Sequence, residues 1–184
     1  MALRGEKRKD LMGRGRARTS LEAKHKKKGE AMNEKVIYLL NQARSAELGA
    51  ISQYMIHHYE LEDQDFGKLA ARLKETAIAE MKHAEKLADR ILFLGGEPTS
   101  EPDLTPKKKQ TIPEMLDTDV ALEKKAIAMY NEAAALCAEQ KDHKSKDLFE
   151  ELISDEEDHL HRFEKIRDHV ARMGNSFLVT LSGE

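Results

Sequence analysis

The chain has 184 residues, enough for one domain with a sizeable core, and no second domain is needed. Charged residues make up 35% and aromatic residues 5%, with four prolines and no tryptophan, a balance that favours long helices with solvated outer faces over a sheet protein. The single cysteine, Cys137, excludes a disulfide framework and reads as a small core residue; no stretch approaches the roughly 18 apolar residues of a membrane span and the N-terminus has no apolar leader segment, so a cytoplasmic protein is expected.

Residues 1–31 read as a basic arm. Between positions 1 and 30 eleven Lys or Arg stand against four acidic residues, a net charge of +7 that leaves −10 for the remainder. With few apolar residues and Gly5, Gly13 and Gly15, the first twenty positions bury too little to fold alone, and a disordered arm is expected, although a helix can start within Ser20 to Lys28. Three readings stand side by side: weak, salt-sensitive contact with nucleic acid, a solvated tail, or an upstream start with Met12 or Met32 able to begin the domain.

Residues 32–174 read as a four-helix bundle. Helix A runs from an N-cap at about Asn33 to about Glu60, roughly 40 Å at the helical rise. A turn at Asp63 to Asp65 leads to helix B, which stops at Gly95-Gly96. From Gly95 to Thr111 the chain carries Pro98, Pro102 and Pro106 and no periodicity. Fully extended, this segment reaches about 55 to 60 Å, enough to travel the length of a helix and start the next one parallel to helix B. Helix C opens at Thr111-Ile112-Pro113-Glu114 and ends near Gln140, Asp142 to Ser145 turn the chain, and helix D ends at Gly174. Residues 175–184 form a tail in which Asn175 to Leu181 is a short fifth helix. The expected fold is all-α: hairpin, long B–C crossover, hairpin.

Charged residues interrupt the apolar stripes of these helices at matching places. Glu80-Met81-Lys82-His83 recurs as Glu156-Glu157-Asp158-His159, and positions i and i+3 share a helix face, so each repeat sets a carboxylate beside an imidazole. Glu47 and Glu123 stand on the stripes of helices A and C, each 33 residues before the Glu of a Glu-x-x-His, so the whole set repeats with a shift of 76. The repeat implies two helical hairpins related by an approximate two-fold axis. A buried unpaired carboxylate costs several kcal/mol, roughly, and a cation held by several carboxylates is the obvious compensation. Hard carboxylate oxygens with two imidazoles suit iron or manganese better than a thiolate-seeking metal. Tyr54 and Tyr130, also 76 apart, are expected to pack between helices with satisfied hydroxyls, orientation of a ligand being the lesser reading.

One Glu from each of two helices and a Glu-x-x-His from each of two others resembles the ferritin-like di-iron and di-manganese bundles. With Ala46-Glu47-Leu48, Gln53-Tyr54, Glu80-Met81-Lys82-His83-Ala84, Arg90-Ile91-Leu92 and Asp155-Glu156-Glu157-Asp158-His159, residues 31–181 resemble the bacterioferritins more closely. The resemblance implies a cage of twenty-four chains built from dimers and two iron ions per chain, manganese being an alternative. It assigns Glu47 and His83 to one ion, Glu123 and His159 to the other, and Glu80 and Glu156 to both. It implies oxidation of Fe(II) by dioxygen or peroxide, storage as ferric mineral, and haem shared between paired chains with Met81 as its axial ligand.

Met81 cannot face the core with Glu80, because one residue turns a helix by about 100°. It falls with Leu48, Ile51, Met55 and Ile78 on a second apolar stripe, expected to pair with its copy across a two-fold axis. Rival readings are a di-manganese catalase or other peroxide-consuming di-metal enzyme, and a Dps-like cage whose basic arm protects DNA. A rubrerythrin-like peroxidase would bring a cysteine-rich module that this chain lacks.

Overall fold

The computed structural model describes the backbone of residues 6–183 and the side chains of residues 33–183. Every regular element among them is helical: α1 (Glu6–Asp63), α2 (Gly67–Phe93), α3 (Ile112–Glu139), α4 (His143–Met173) and α5 (Asn175–Leu178), followed by a 3-10 turn at Val179–Leu181. No helix among the described residues is long and apolar enough to cross a membrane.

Two units divide the chain, residues 1–35 and 36–184. In the first, α1 corrects the expected helix start at an N-cap near Asn33, because the backbone of residues 6–32 is already helical. The stretch has no proline and is rich in Ala, Leu, Glu, Lys and Arg, and adding residues to an existing helix is far easier than nucleating one. Residues 1–5 lie outside the described residues. In the second unit the predicted boundaries hold to within a few residues, and the expected fifth helix divides into one α turn and one 3-10 turn.

α1 pairs with α2 and α3 with α4, and the two hairpin turns are copies of one another. Asp65 and Lys141, 76 residues apart, adopt left-handed φ of 63° and 62°. Behind each, a backbone N–H reaches back five residues, Phe66 to Leu61 O and Asp142 to Cys137 O, both at 2.9 Å. This turn satisfies the last carbonyls of the preceding helix.

Between the hairpins, residues 94–111 follow α1 in its own direction, held by its polar side chains. Asn41 Nδ2 donates to Glu97 O (3.1 Å), Arg44 Nε to Thr99 O (2.8 Å), Ser45 Oγ to Glu101 O (2.6 Å) and Gln53 Nε2 to Lys107 O (2.9 Å), while Lys109 N donates to Glu60 Oε1 (2.8 Å). Gly49 lets the segment lie close: a Cβ there would collide with Asp103 Oδ1 and stand 2.9 Å from Leu104 Cγ. Having travelled along α1 from Asn41 to Glu60, the chain begins α3 beside the start of α2. A capping box marks that start, with Thr111 N donating to Glu114 Oε2 at 2.8 Å.

The apolar core falls into two parts. One gathers Tyr54, Leu61, Leu69, Leu73, Leu116 and Phe163, the other Leu40, Leu87, Ile91, Tyr130, Phe149 and Leu152. Buried ionisable side chains from all four long helices also lie in the bundle.

A Cβ in the left-handed region costs roughly 1 kcal/mol, and lysine has no short polar side chain to offset it. Lys141→Gly is expected to stabilise the protein by about 0.5–1 kcal/mol, read as a higher urea midpoint at unchanged helix content. An unchanged or lower midpoint would show that the turn carries no such strain.

Candidate metal centre

α1 supplies Glu47, α2 Glu80 and His83, α3 Glu123, and α4 Glu156 and His159, and none of the six is more than 4% exposed. They form two groups, Glu47–Glu80–His83–Glu156 and Glu80–Glu123–Glu156–His159, in each of which one ligand atom per residue lies within 4.8 Å of the others. Glu80 and Glu156 belong to both. His83 Nδ1 is 2.8 Å from Glu80 Oε2, 3.1 Å from Glu156 Oε1 and 3.6 Å from Glu47 Oε1. His159 Nδ1 is 2.9 Å from both Glu80 Oε1 and Glu156 Oε2.

Closeness is not pairing here. Both Glu80 oxygens, Glu156 Oε1 and His83 Nδ1 are buried without a hydrogen bond of acceptable geometry. Buried polar atoms are almost always satisfied, so four such atoms aimed at shared points mark a site built for cations. The donor set, four carboxylates and two imidazoles, fits iron or manganese.

Surrounding side chains hold this arrangement from across the bundle. Tyr54 of α1 donates to Glu123 Oε1 of α3 at 2.6 Å, and Tyr130 of α3 donates to Glu47 Oε1 of α1 at 2.5 Å. Each hydroxyl is therefore satisfied, as the packing reading requires, and each also orients a carboxylate of the layer. Asp155 Oδ2 stands 3.2 Å from His83 Nε2, leaving Nδ1 toward the carboxylates. A further buried pair, His57 and Asp119 at 2.9 Å, lies outside the six. Neither Asp155 nor this pair was expected from helical spacing.

Burial works against charge throughout the layer. It lifts Glu47 to about 8 and moves Glu123 well above the ordinary carboxylate range, with neighbouring carboxylates adding to Glu123 and His83 partly restraining Glu47. Burial pulls both imidazoles down, yet the surrounding carboxylates outweigh it, taking His83 to about 12 and His159 to about 9. Glu156, also raised by burial, is brought net to about 2 by the two imidazoles.

Met81 sits elsewhere. It lies on α2 beside Glu80 but is 56% exposed, with Ile78 43% exposed on the same face and Leu48, Ile51 and Met55 half-buried on α1.

Two helical hairpins around a buried layer of four carboxylates and two imidazoles define a ferritin-like protein, and a model of the ferritin-like domain matches residues 37–173. Bacterioferritin of Desulfovibrio desulfuricans is 42% identical over 154 residues, 84% of this chain and 86% of that one. Bacterioferritin of Rhodobacter capsulatus is 46% identical over 134 residues, 72% of this chain and 81% of that one. The crystal structure of the Desulfovibrio protein, which shows its diiron site in different catalytic states, superposes with a TM-score of 0.83 at 41% identity, covering 85% of this chain and 91% of that one. That of the Rhodobacter protein, with a metal-free dinuclear site and haem iron in a crystallographic special position, gives 0.79 at 39% identity, covering 82% and 95%. The chain belongs to the bacterioferritin family.

At neutral pH the cation-free layer holds protons on His83, His159 and Glu47, because all three are raised above 7. Metal ligands must shed those protons, together with any held by the raised Glu123, so Zn²⁺ binding is expected to release about three protons or more per chain near pH 7 and to weaken as pH falls. Calorimetry in buffers of different ionisation enthalpy measures the number. Binding without proton release would contradict this charge distribution.

Proposed function

We propose that this chain stores iron and oxidises it on the way. Fe(II) is the substrate of the six-residue layer, dioxygen or peroxide the oxidant, and ferric mineral inside a cage of twenty-four like chains the product. The observation that supports this reading best is the sharing of Glu80 and Glu156 between the two ligand groups. Two Fe(II) held side by side give up two electrons together, the number that takes dioxygen to hydrogen peroxide or peroxide to water.

In this reading, Glu47 and His83 hold one ion and Glu123 and His159 the other, with the shared carboxylates spanning both. Tyr130 and Tyr54 fix the orientation of Glu47 and Glu123, so the outer carboxylates are already aimed when the ions arrive. A cavity lined by Ala46, Ala50, Leu122 and Ala126 together with Glu47, Glu80, Glu123 and Glu156 also touches Asp103 and Lys125, which supports access from the α1–α3 side. The diiron site of the Desulfovibrio relative supports the choice of metal.

Haem fits the outer face of the α1–α2 hairpin, where the Met81 thioether points away from the core among apolar neighbours. Met81 from two chains would hold one haem, which supplies a one-electron centre at the dimer boundary; the haem iron on a special position in the Rhodobacter relative supports this. The net charge of +7 over residues 1–30 supports a weak, salt-sensitive contact with nucleic acid, which a gel shift across a salt series would test.

Glu80→Ala and Glu156→Ala each remove a carboxylate from both groups and are expected to abolish the fast phase of Fe(II) oxidation in stopped flow while leaving a folded helical oligomer. Oxidation at the parental rate in either variant would sink the assignment. Haem reconstitution is expected to give one haem per two chains, with a visible spectrum altered by Met81→His. A protein that takes up no haem in either redox state would reduce Met81 to an interface residue.

A further inference from the structure

The duplication that builds the metal layer is broken one helical turn away from it. A shift of 76 residues carries Leu40 onto Leu116, Glu47 onto Glu123, Ala50 onto Ala126 and Tyr54 onto Tyr130, but it carries Ala43 onto Asp119 and His57 onto Ala133. Beside Glu47, the positions one turn out are thus Ala43 and Ala133, both part of the apolar core. Beside Glu123 they are Asp119 and His57, both 0% exposed, with His57 Nδ1 2.9 Å from Asp119 Oδ1. Two alanines fill the equivalent place, so packing does not call for this pair. Burying it carries a desolvation cost, and Asp119 Oδ2 has no partner at all.

The neighbours orient the pair. Lys107 N donates to Gln53 Oε1 at 2.8 Å and Gln53 Nε2 donates to Lys107 O at 2.9 Å, which fixes the amide. The same Gln53 Nε2 lies 2.7 Å from His57 Nε2, which therefore accepts, leaving the ring proton on Nδ1 to be donated to Asp119. That tautomer is a neutral imidazole beside a charged carboxylate. Gln110 Oε1, 3.1 Å from His57 Nε2, favours a second ring proton, a state in which imidazolium and carboxylate balance, whereas the Gln53 amide favours the neutral ring. Asp119 stands one turn from Glu123 on α3, whereas His57 faces the crossover residues.

We propose that Asp119, held by His57, makes the two cation positions unequal, so that the Glu123–His159 position fills before the Glu47–His83 position. The inference rests on the two-cation reading of the layer. With His57 as the neutral tautomer that Gln53 selects, the pair carries one buried negative charge, and such a charge favours a divalent ion nearby. Asp155 backs the other position through His83, and its counterpart under the shift is Ala79. Its side chain is 45% exposed and screened by water, while that of Asp119 is 1% exposed, so the buried carboxylate prevails. Asp119 and His57 are positioning residues, acting through Glu123 and the field around it.

The test is partial loading. Crystals of metal-free protein given about a fifth of an equivalent of Co²⁺ per chain, so that occupancies follow affinities, are measured by anomalous diffraction at the cobalt edge. Occupancy at the Glu123–His159 position is expected to exceed that at the other by about tenfold, the size of one partly screened charge acting on a divalent ion. The double variant His57→Ala/Asp119→Ala copies the other half and is expected to bring the ratio to about one or below. Asp119→Asn keeps the shape and should lower the ratio about tenfold, deciding the matter if the double variant does not fold. Equal or reversed occupancy in the parent protein, or an unchanged ratio in Asp119→Asn, overturns the inference. Cobalt absent from the layer altogether overturns the two-cation reading instead.

Discussion

Four carboxylates buried together repel one another, and this repulsion is the constraint that the rest of the bundle serves. Without cations, Glu47 and Glu123 are pushed toward their neutral forms while His83 and His159 are held charged, so protons do the neutralising. The arrangement is poor as hydrogen bonding, since both oxygens of Glu80 remain unpartnered. A core built for stability alone would replace it with apolar residues of similar volume, which is often neutral or stabilising. Its retention across four helices, with a tyrosine set behind each outer carboxylate, is intelligible as preparation for divalent ions.

The topology follows from that requirement. Each long helix has to bring a carboxylate to one level, and the two Glu-x-x-His helices have to run in opposite directions for a two-fold axis across the bundle to place their ligands as mates. The crossover makes this possible by travelling along α1 before α3 begins, and α1 holds it with Asn41, Arg44, Ser45, Gln53 and Glu60. Gln53 serves both purposes: its amide clamps the backbone of Lys107 and also meets His57. A residue that anchors a loop thereby fixes the tautomer of a buried imidazole.

Much of this was legible in the sequence because the ligands betray themselves as charges on apolar stripes. Glu47, Glu80, His83, Glu123, Glu156 and His159 stand where the periodicity calls for core residues, and a shift of 76 ties them together. Their division into two groups sharing Glu80 and Glu156 depends on distances that spacing cannot supply. Nor does spacing reveal the crossed hydrogen bonds of Tyr54 and Tyr130, which depend on the register between α1 and α3. The His57–Asp119 pair is written in the sequence as a break in the repeat, but a polar residue on a helix shows its burial only once its partner is in place. The start of α1 before Asn33 is hidden for another reason: a helix can extend through residues that would not start one.

Two cation positions in one chain that share Glu80 and Glu156 need both carboxylates for tight binding. The most direct measurement is equilibrium dialysis of the metal-free protein against Fe(II) without oxygen, for the parent and for Glu80→Gln/Glu156→Gln. Two tightly bound Fe(II) per parent chain, both lost in the double variant, is the expected result. One tight ion per chain, or two that survive loss of both shared carboxylates, would contradict it.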